Sequence, residues 1–137
     1  MIDFMLINYV RQRISCLLLT GRVVVCHRER TLSMMRNAFT MQLKPGVEEE
    51  YKRRHDEIWP ELARELSASG ISDYSIFLDE PSGRLFAVQK LSDDNAAAAL
   101  PETDIVKKWW AYMADLMDTH PDNSPVSLPL REVFHLD

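Results

Sequence analysis

Tyr51 and His55 stand four residues apart in YKRRHDEIWPEL, residues 51–62. On a helix, side chains at i and i+4 stack on one face. Val47, Ile58, Leu62 and Leu66 fall on the same stripe, so a phenol and an imidazole occupy places where leucine would pack. A core histidine bonded to a backbone group, beside an ordinary core-edge tyrosine, accounts for each residue singly. The pair asks for more, because two polar heads buried side by side need partners or a ligand. Histidine titrates at about 6.5 and can give and take a proton near neutral pH. The pair therefore suits acid–base work on a small molecule.

Trp109-Trp110 adds a second candidate feature. Val106, Trp110, Met113 and Met117 share a helical stripe, so one tryptophan packs. Adjacent residues on a helix lie about 100° apart, so both indoles cannot point squarely inward. An indole left at the edge of a cleft is a natural platform for the apolar C–H face of a sugar ring. The loop HPDNSPV, residues 120–126, is stiffened by Pro121 and Pro125. Its Asp122-Asn123-Ser124 cluster reads as turn chemistry or as one wall of a polar pocket.

Other chemistries lack their signatures. His27, His55, His120 and His135 show no paired ligand spacing, and there is no HExxH or CxxC. With four glycines in the chain there is no phosphate cradle or dinucleotide fingerprint, and no GxSxG elbow. No metal or cofactor is expected.

The elements that must carry these residues are legible in residues 34–137. Residues 36–43, RNAFTMQL, alternate as a strand. Lys44-Pro45-Gly46 leads into a helical segment from Val47 to about Ser67, which must kink or restart at Pro60, with Trp59 pushed off helical angles. Strands are expected at Ile71–Asp79 and Arg84–Leu91, joined through Glu80-Pro81-Ser82-Gly83 as a hairpin. Ser92–Ala99 reads as a short helix capped by Ser92, and Thr103–Asp118 as a longer one capped by Thr103. Arg131–Leu136 reads as a last strand. The order β-α-β-β-α-β is the split-βαβ, ferredoxin-like arrangement: an α+β fold with two helices on one face of a four-stranded antiparallel sheet. Phe39, Tyr74, Phe77 and Phe86 cannot all point at the helices, so the other face is expected to find a partner, most simply a second copy.

Residues 1–33 differ in character. Five arginines against Asp3 and Glu29 leave +3 there, so the net charge of −5 puts −8 on residues 34–137. That balance argues against a nucleic-acid partner. Cys16 and Cys26 both lie in the first segment, so no disulfide framework holds the acidic remainder, and a reducing, cytoplasmic setting is expected. The apolar run ISCLLLT is too short to span a bilayer and lacks a cleavage site. Residues 1–33 are read as an appendage without assigned chemistry, and 34–137 as the domain.

Across 34–137 the chain resembles the L-rhamnose mutarotases. The matching stretches are YKRRHDEIWPEL, YSIFLD, WWAYMADLM and PDNSPV, followed by EVFHL, in that order. The resemblance implies a dimeric ferredoxin-like domain in the cytoplasm that interconverts the α and β anomers of L-rhamnose without a cofactor. It implies His55 as proton donor and Tyr51, Tyr74, Trp109 and Trp110 as sugar-binding residues. A small dimeric αβ-barrel monooxygenase or lactone isomerase is an alternative on the same fold, and a non-catalytic sugar-binding module is another.

Overall fold

The computed structural model describes residues 34–136; the appendage expected over 1–33 lies outside them. The elements in chain order are β1 (Met35–Gln42), α1 (Glu48–Asp56), α2 (Pro60–Ala68), β2 (Ile71–Asp79), β3 (Arg84–Leu91), a 3-10 helix (Ala97–Glu102), α3 (Asp104–Met113) and β4 (Leu128–Leu130). All strand pairs are antiparallel, in the sheet order β2-β3-β1-β4. This is the expected split-βαβ topology.

One face of the sheet meets the helices. Met41, Ile71, Leu85, Ala87 and Leu91 are buried there against Tyr51, Leu62, Val106, Trp109 and Met113. Alternation along the strands sends Phe77 to the opposite face, where it is 61% exposed. Phe39 instead packs on the core, so the four aromatic residues of the strands divide between the two faces.

The proline break falls where the sequence places it. Trp59 is extended at φ −61°, ψ 129°, and Pro60 restarts the chain as the first residue of α2. The segment 47–67 is thus two helices with a hinge, not one bent rod. Gly70, at φ +83°, closes α2 and turns the chain into β2. A Cβ there would lie 2.3 Å from Ser92 Oγ and 2.9 Å from Asn95 Cβ, so the corner also needs the missing side chain.

Three boundaries differ from the sequence expectation, each because tertiary pairing claims the backbone. Ser92 caps no helix. Its N–H donates to the carbonyl of Gly70, and that of Ala96 to the carbonyl of Ser69, which holds residues 92–96 against the α2–β2 corner. The helical turn starts only at Ala97, as a 3-10 helix. Helix α3 stops at Met113, because the following residues bind the end of β1: Lys44 N–H donates to Leu116 O, and Asp118 N–H to Gln42 O. Thr103 holds the N-cap position, but its hydroxyl donates to the Leu100 carbonyl and makes no cap bond. The last strand is Leu128–Leu130, paired with Ala38–Thr40, not Arg131–Leu136. Beyond Leu130 the chain leaves the edge of β1 and runs exposed, tied by the ion pair of Arg36 with Glu132 at 2.8 Å.

Candidate active site

Helix α1 begins with Glu48, Glu49 and Glu50 and ends with Arg53, Arg54 and His55, a charge order that suits the helix dipole at both ends. Its inner face carries Tyr51, which is only 7% exposed, and His55, which is half-buried. The two rings lie 4.3 Å apart between centroids, tilted by 33°. His55 Nδ1 stands 3.0 Å from the carbonyl oxygen of Tyr51. A carbonyl only accepts, so Nδ1 carries the hydrogen and the lone pair of the neutral ring is on Nε2. Burial holds the imidazole below its ordinary 6.5, against the opposing pull of the Tyr51 carbonyl and the Asp56 charge. The histidine is therefore both bonded to a backbone group and left with one ring nitrogen for chemistry.

Trp109 closes the far side of the imidazole. It meets His55 edge-on at 5.4 Å and 89°, and Trp59 edge-on at 5.3 Å and 86°. Tyr112 completes the cluster, 5.4 Å from Trp59 and 5.8 Å from Trp109. The stripe Val106, Trp110, Met113 and Met117 assigned packing to Trp110. In the fold Trp109 is the buried indole, at 9% exposure, while Trp110 is half-buried against the core and has no part in the ring contacts. The inner face is read by Val106, Trp109 and Met113, because α3 turns its i+3 rather than its i+4 neighbour toward α1.

The sequence marked Trp59 only as the residue pushed off helical angles before Pro60, and it singled out neither Tyr112 nor Arg54. Trp59 reaches the cluster because its backbone is extended before Pro60. Arg54 locks α1 to the end of α3. Its guanidinium grips Asp115 through Nη1 at 2.7 Å and Nη2 at 3.1 Å, and Glu50 through Nε at 2.7 Å. It also donates to the Tyr112 carbonyl and lies 4.4 Å from the centre of the Tyr112 ring. The two arginines beside Glu50 hold its carboxyl down at about 2. The sequence signal was the i, i+4 spacing of Glu50 and Arg54; the partner on α3 had none.

Tyr74 comes from β2. Its position shares the helix-facing side with Ile76 and Leu78, which pack on the core. The Tyr51 phenol is raised by burial and, secondarily, by the charge Tyr74 would carry if ionised, which places the two phenols within electrostatic reach. Tyr74 keeps 40% of its surface exposed, and the desolvation by its surroundings pushes its phenol to about 12. Both phenols stay protonated at neutral pH and can donate or accept a hydrogen bond.

Asp122 belongs to its own turn. Its Oδ1 accepts from the Ser124 N–H at 3.0 Å and the Ser124 hydroxyl at 2.6 Å, which hold the carboxyl below its usual range. Among the described residues no group of three or more His, Cys, Asp or Glu could hold a metal, and no helix is long and apolar enough to cross a membrane. What the fold assembles is a half-buried imidazole anchored at one nitrogen, two neutral phenols and an indole wall. Such a set can exchange protons with a bound molecule near neutral pH.

The pattern described as L-rhamnose mutarotase matches residues 36–136. An L-rhamnose mutarotase of Flavobacterium johnsoniae is 59% identical over 103 residues, covering 75% of this chain and 96% of that one. One from Bacteroides thetaiotaomicron is 57% identical over 104 residues, covering 76% of this chain and 100% of that one. The crystal structure of an L-rhamnose mutarotase from Formosa agariphila superposes with a TM-score of 0.70 at 52% identity, covering 75% of this chain and 99% of that one. The chain belongs to the L-rhamnose mutarotase family.

Proposed function

We propose that this protein interconverts the α and β anomers of L-rhamnopyranose, an isomerase step in rhamnose metabolism. The observation that carries the reading is the anchored imidazole: His55 is bonded at Nδ1 to the Tyr51 carbonyl and faced by Trp109, on a chain whose relatives bear that activity by name. We assign His55 as proton donor and Tyr51, Tyr74, Trp109 and Trp110 as sugar-binding residues.

In this mechanism Nε2 of protonated His55 gives its proton to the ring oxygen as the anomeric hydroxyl loses one. The C1–O5 bond breaks and C1 becomes an aldehyde. Rotation about C1–C2 presents the other face, and the reverse transfers close the ring, returning the proton to Nε2. Assistance of this kind contributes ~10²–10⁴-fold. The Trp109 indole and the Tyr51 phenol take part of the imidazole out of water, which strengthens its hydrogen bonds to the sugar. A water is the natural group to take the anomeric proton, since the contacts of Asp122 lie within its own turn.

The activity is assigned to residues 34–137, within which the family match falls. The protein is read as a cytoplasmic homodimer. The absence of cysteine from 34–137 supports the first, because no disulfide is called for there. The outer sheet face supports the second: Phe77 is 61% and Leu128 62% exposed, and a two-fold copy would present the same apolar face to it. The −8 balance of the domain is the ground for reading no nucleic-acid partner.

Saturation-transfer proton NMR on equilibrated L-rhamnose tests the activity. Transfer between the two anomeric protons should quicken with the protein and fall back to the buffer rate with His55→Gln. Oxygen uptake without anomer exchange would favour the monooxygenase alternative. Sugar binding without exchange would leave a binding module.

A further inference from the structure

Strand β2 changes face partway along its length. Ile71 pairs with Leu91 and Ser72 with Lys90, and the ladder resumes with Ser75 opposite Val88. Asp73 and Tyr74 are therefore two residues set against the single Gln89, a one-residue β-bulge. The consequence follows from the period of two along a strand. Ile71 is buried on the helix side. In an unbroken strand Asp73, Ser75 and Phe77 would follow it there, and Tyr74 would point to the outer face. In the bulged strand Ile76 and Leu78 pack on the core and Phe77 is exposed, so Tyr74 turns inward.

Asp73 supplies the extra residue. Its backbone lies at φ +47°, in the left-handed region where aspartate and asparagine are the side chains best tolerated after glycine. Its carboxylate sits 2.7 Å from Lys90 Nζ on β3, so the bulged strand is tied to its neighbour where the register slips. A β-branched residue at position 73 would resist that backbone angle and favour the unbroken ladder.

We infer that Asp73 is a positioning residue: its left-handed backbone forms the bulge that turns Tyr74 from the outer sheet face into the site. The inference rests on the reading of Tyr74 as a sugar-binding residue, and its test is separable from that reading. Tyr51 on α1 also feels the charge Tyr74 would carry if ionised, in keeping with the inward position that the register gives Tyr74.

The full chain is compared with Asp73→Gly, Asp73→Asn, Asp73→Val and Tyr74→Phe in the anomer-exchange assay, with thermal melting to confirm folding. Asp73→Val should raise KM about tenfold, the equivalent of one lost hydrogen bond at about 1.4 kcal/mol. Asp73→Gly and Asp73→Asn, which accept the left-handed angle, should stay near the parent value. In the Tyr74→Phe background Asp73→Val should add almost nothing. If Asp73→Val does not fold, Asp73→Ala takes its place. A second readout needs no activity: in the Phe77→Lys background, where a second copy should no longer cover the outer face, acetylation of the Tyr74 hydroxyl by N-acetylimidazole, mapped by mass spectrometry, should be slow with Asp73 and with Asp73→Gly and fast with Asp73→Val. Parent-like KM and slow acetylation in folded Asp73→Val would overturn the inference, as would losses that multiply with Tyr74→Phe. A parent protein that exchanges no anomers while its acetylation pattern follows the bulge would sink the functional reading and leave the positioning role standing.

Discussion

The Nδ1 atom of His55 stands 3.0 Å from the carbonyl oxygen of Tyr51, one helical turn earlier on the same face. Because the carbonyl can only accept, Nδ1 keeps its hydrogen in both charge states, and the proton that titrates is the one on Nε2. The helix thus fixes the tautomer and the ring plane with its own backbone, and Trp109 meets the ring edge-on from α3. One nitrogen orients and the other exchanges protons.

The proton-donor role proposed for His55 fixes an expected pH dependence of catalysis. Burial lowers the His55 pKa below 6.5, so a proton-donor role predicts that kcat for anomer exchange falls as pH rises through that lowered value. His55→Gln should cost ~10²–10⁴-fold in kcat and flatten the profile. A kcat that climbs over the same window would instead assign neutral Nε2 the role of base.

Stability should carry the opposite sign. The folded-state pKa of His55 is depressed, so between it and 6.5 the unfolded chain binds the extra proton. The contribution of the neutral imidazole is complete above 6.5 and is lost as pH falls toward the folded value. Melting temperatures of the parent and His55→Gln, followed from neutral to mildly acidic pH, should show the parent losing more. Parallel curves would mean that folding does not desolvate the ring.

The two adjacent tryptophans should separate energetically. Trp109, in ring contact with His55, Trp59 and Tyr112, should cost about 3–5 kcal/mol on truncation to alanine. Half-buried Trp110 should cost clearly less, with its effect felt in KM for L-rhamnose if it serves the sugar. Urea titration of both variants measures the difference, and equal losses would contradict the packing described.

Arg54 joins α1 to α3 through Glu50, Asp115 and the Tyr112 carbonyl. Arg54→Met would leave these acceptors without their donor, at about 1–3 kcal/mol by denaturant titration. Arg54→Lys should recover little, since a point charge cannot make the paired contacts of the fork to Asp115. Full recovery by lysine would reduce the clamp to simple charge attraction.

The exposed outer face gives the fifth expectation. Phe77→Lys places a charge on the apolar surface proposed to meet a second copy. Light scattering should report a monomer where the parent is a dimer. An unchanged dimeric mass would move the interface off this face.

Much of this was written in local patterns. Alternation marked β1, and β-branched and aromatic residues on either side of a turn marked β2 and β3. Pro60 required the break after Trp59, and the Tyr51/His55 spacing set both rings on one face of α1, because helix and strand periods are properties of the backbone alone. Those rules end where non-local partners compete for the same groups. Helix α3 stops at Met113 and residues 92–96 stay non-helical because distant segments bind their N–H and C=O groups. Which tryptophan is buried depended on how α3 is rolled against α1, an angle no stripe within α3 can encode. Tyr74 is the sharpest case. Its residue type was legible and its face was not, because one extra residue at Asp73 inverts the side of everything before it relative to everything after. The sequence by itself determined the elements, their order and the histidine–tyrosine pair. Only tertiary structure decided which side chains meet that pair, because facing depends on register and roll, which are settled between elements and not within them.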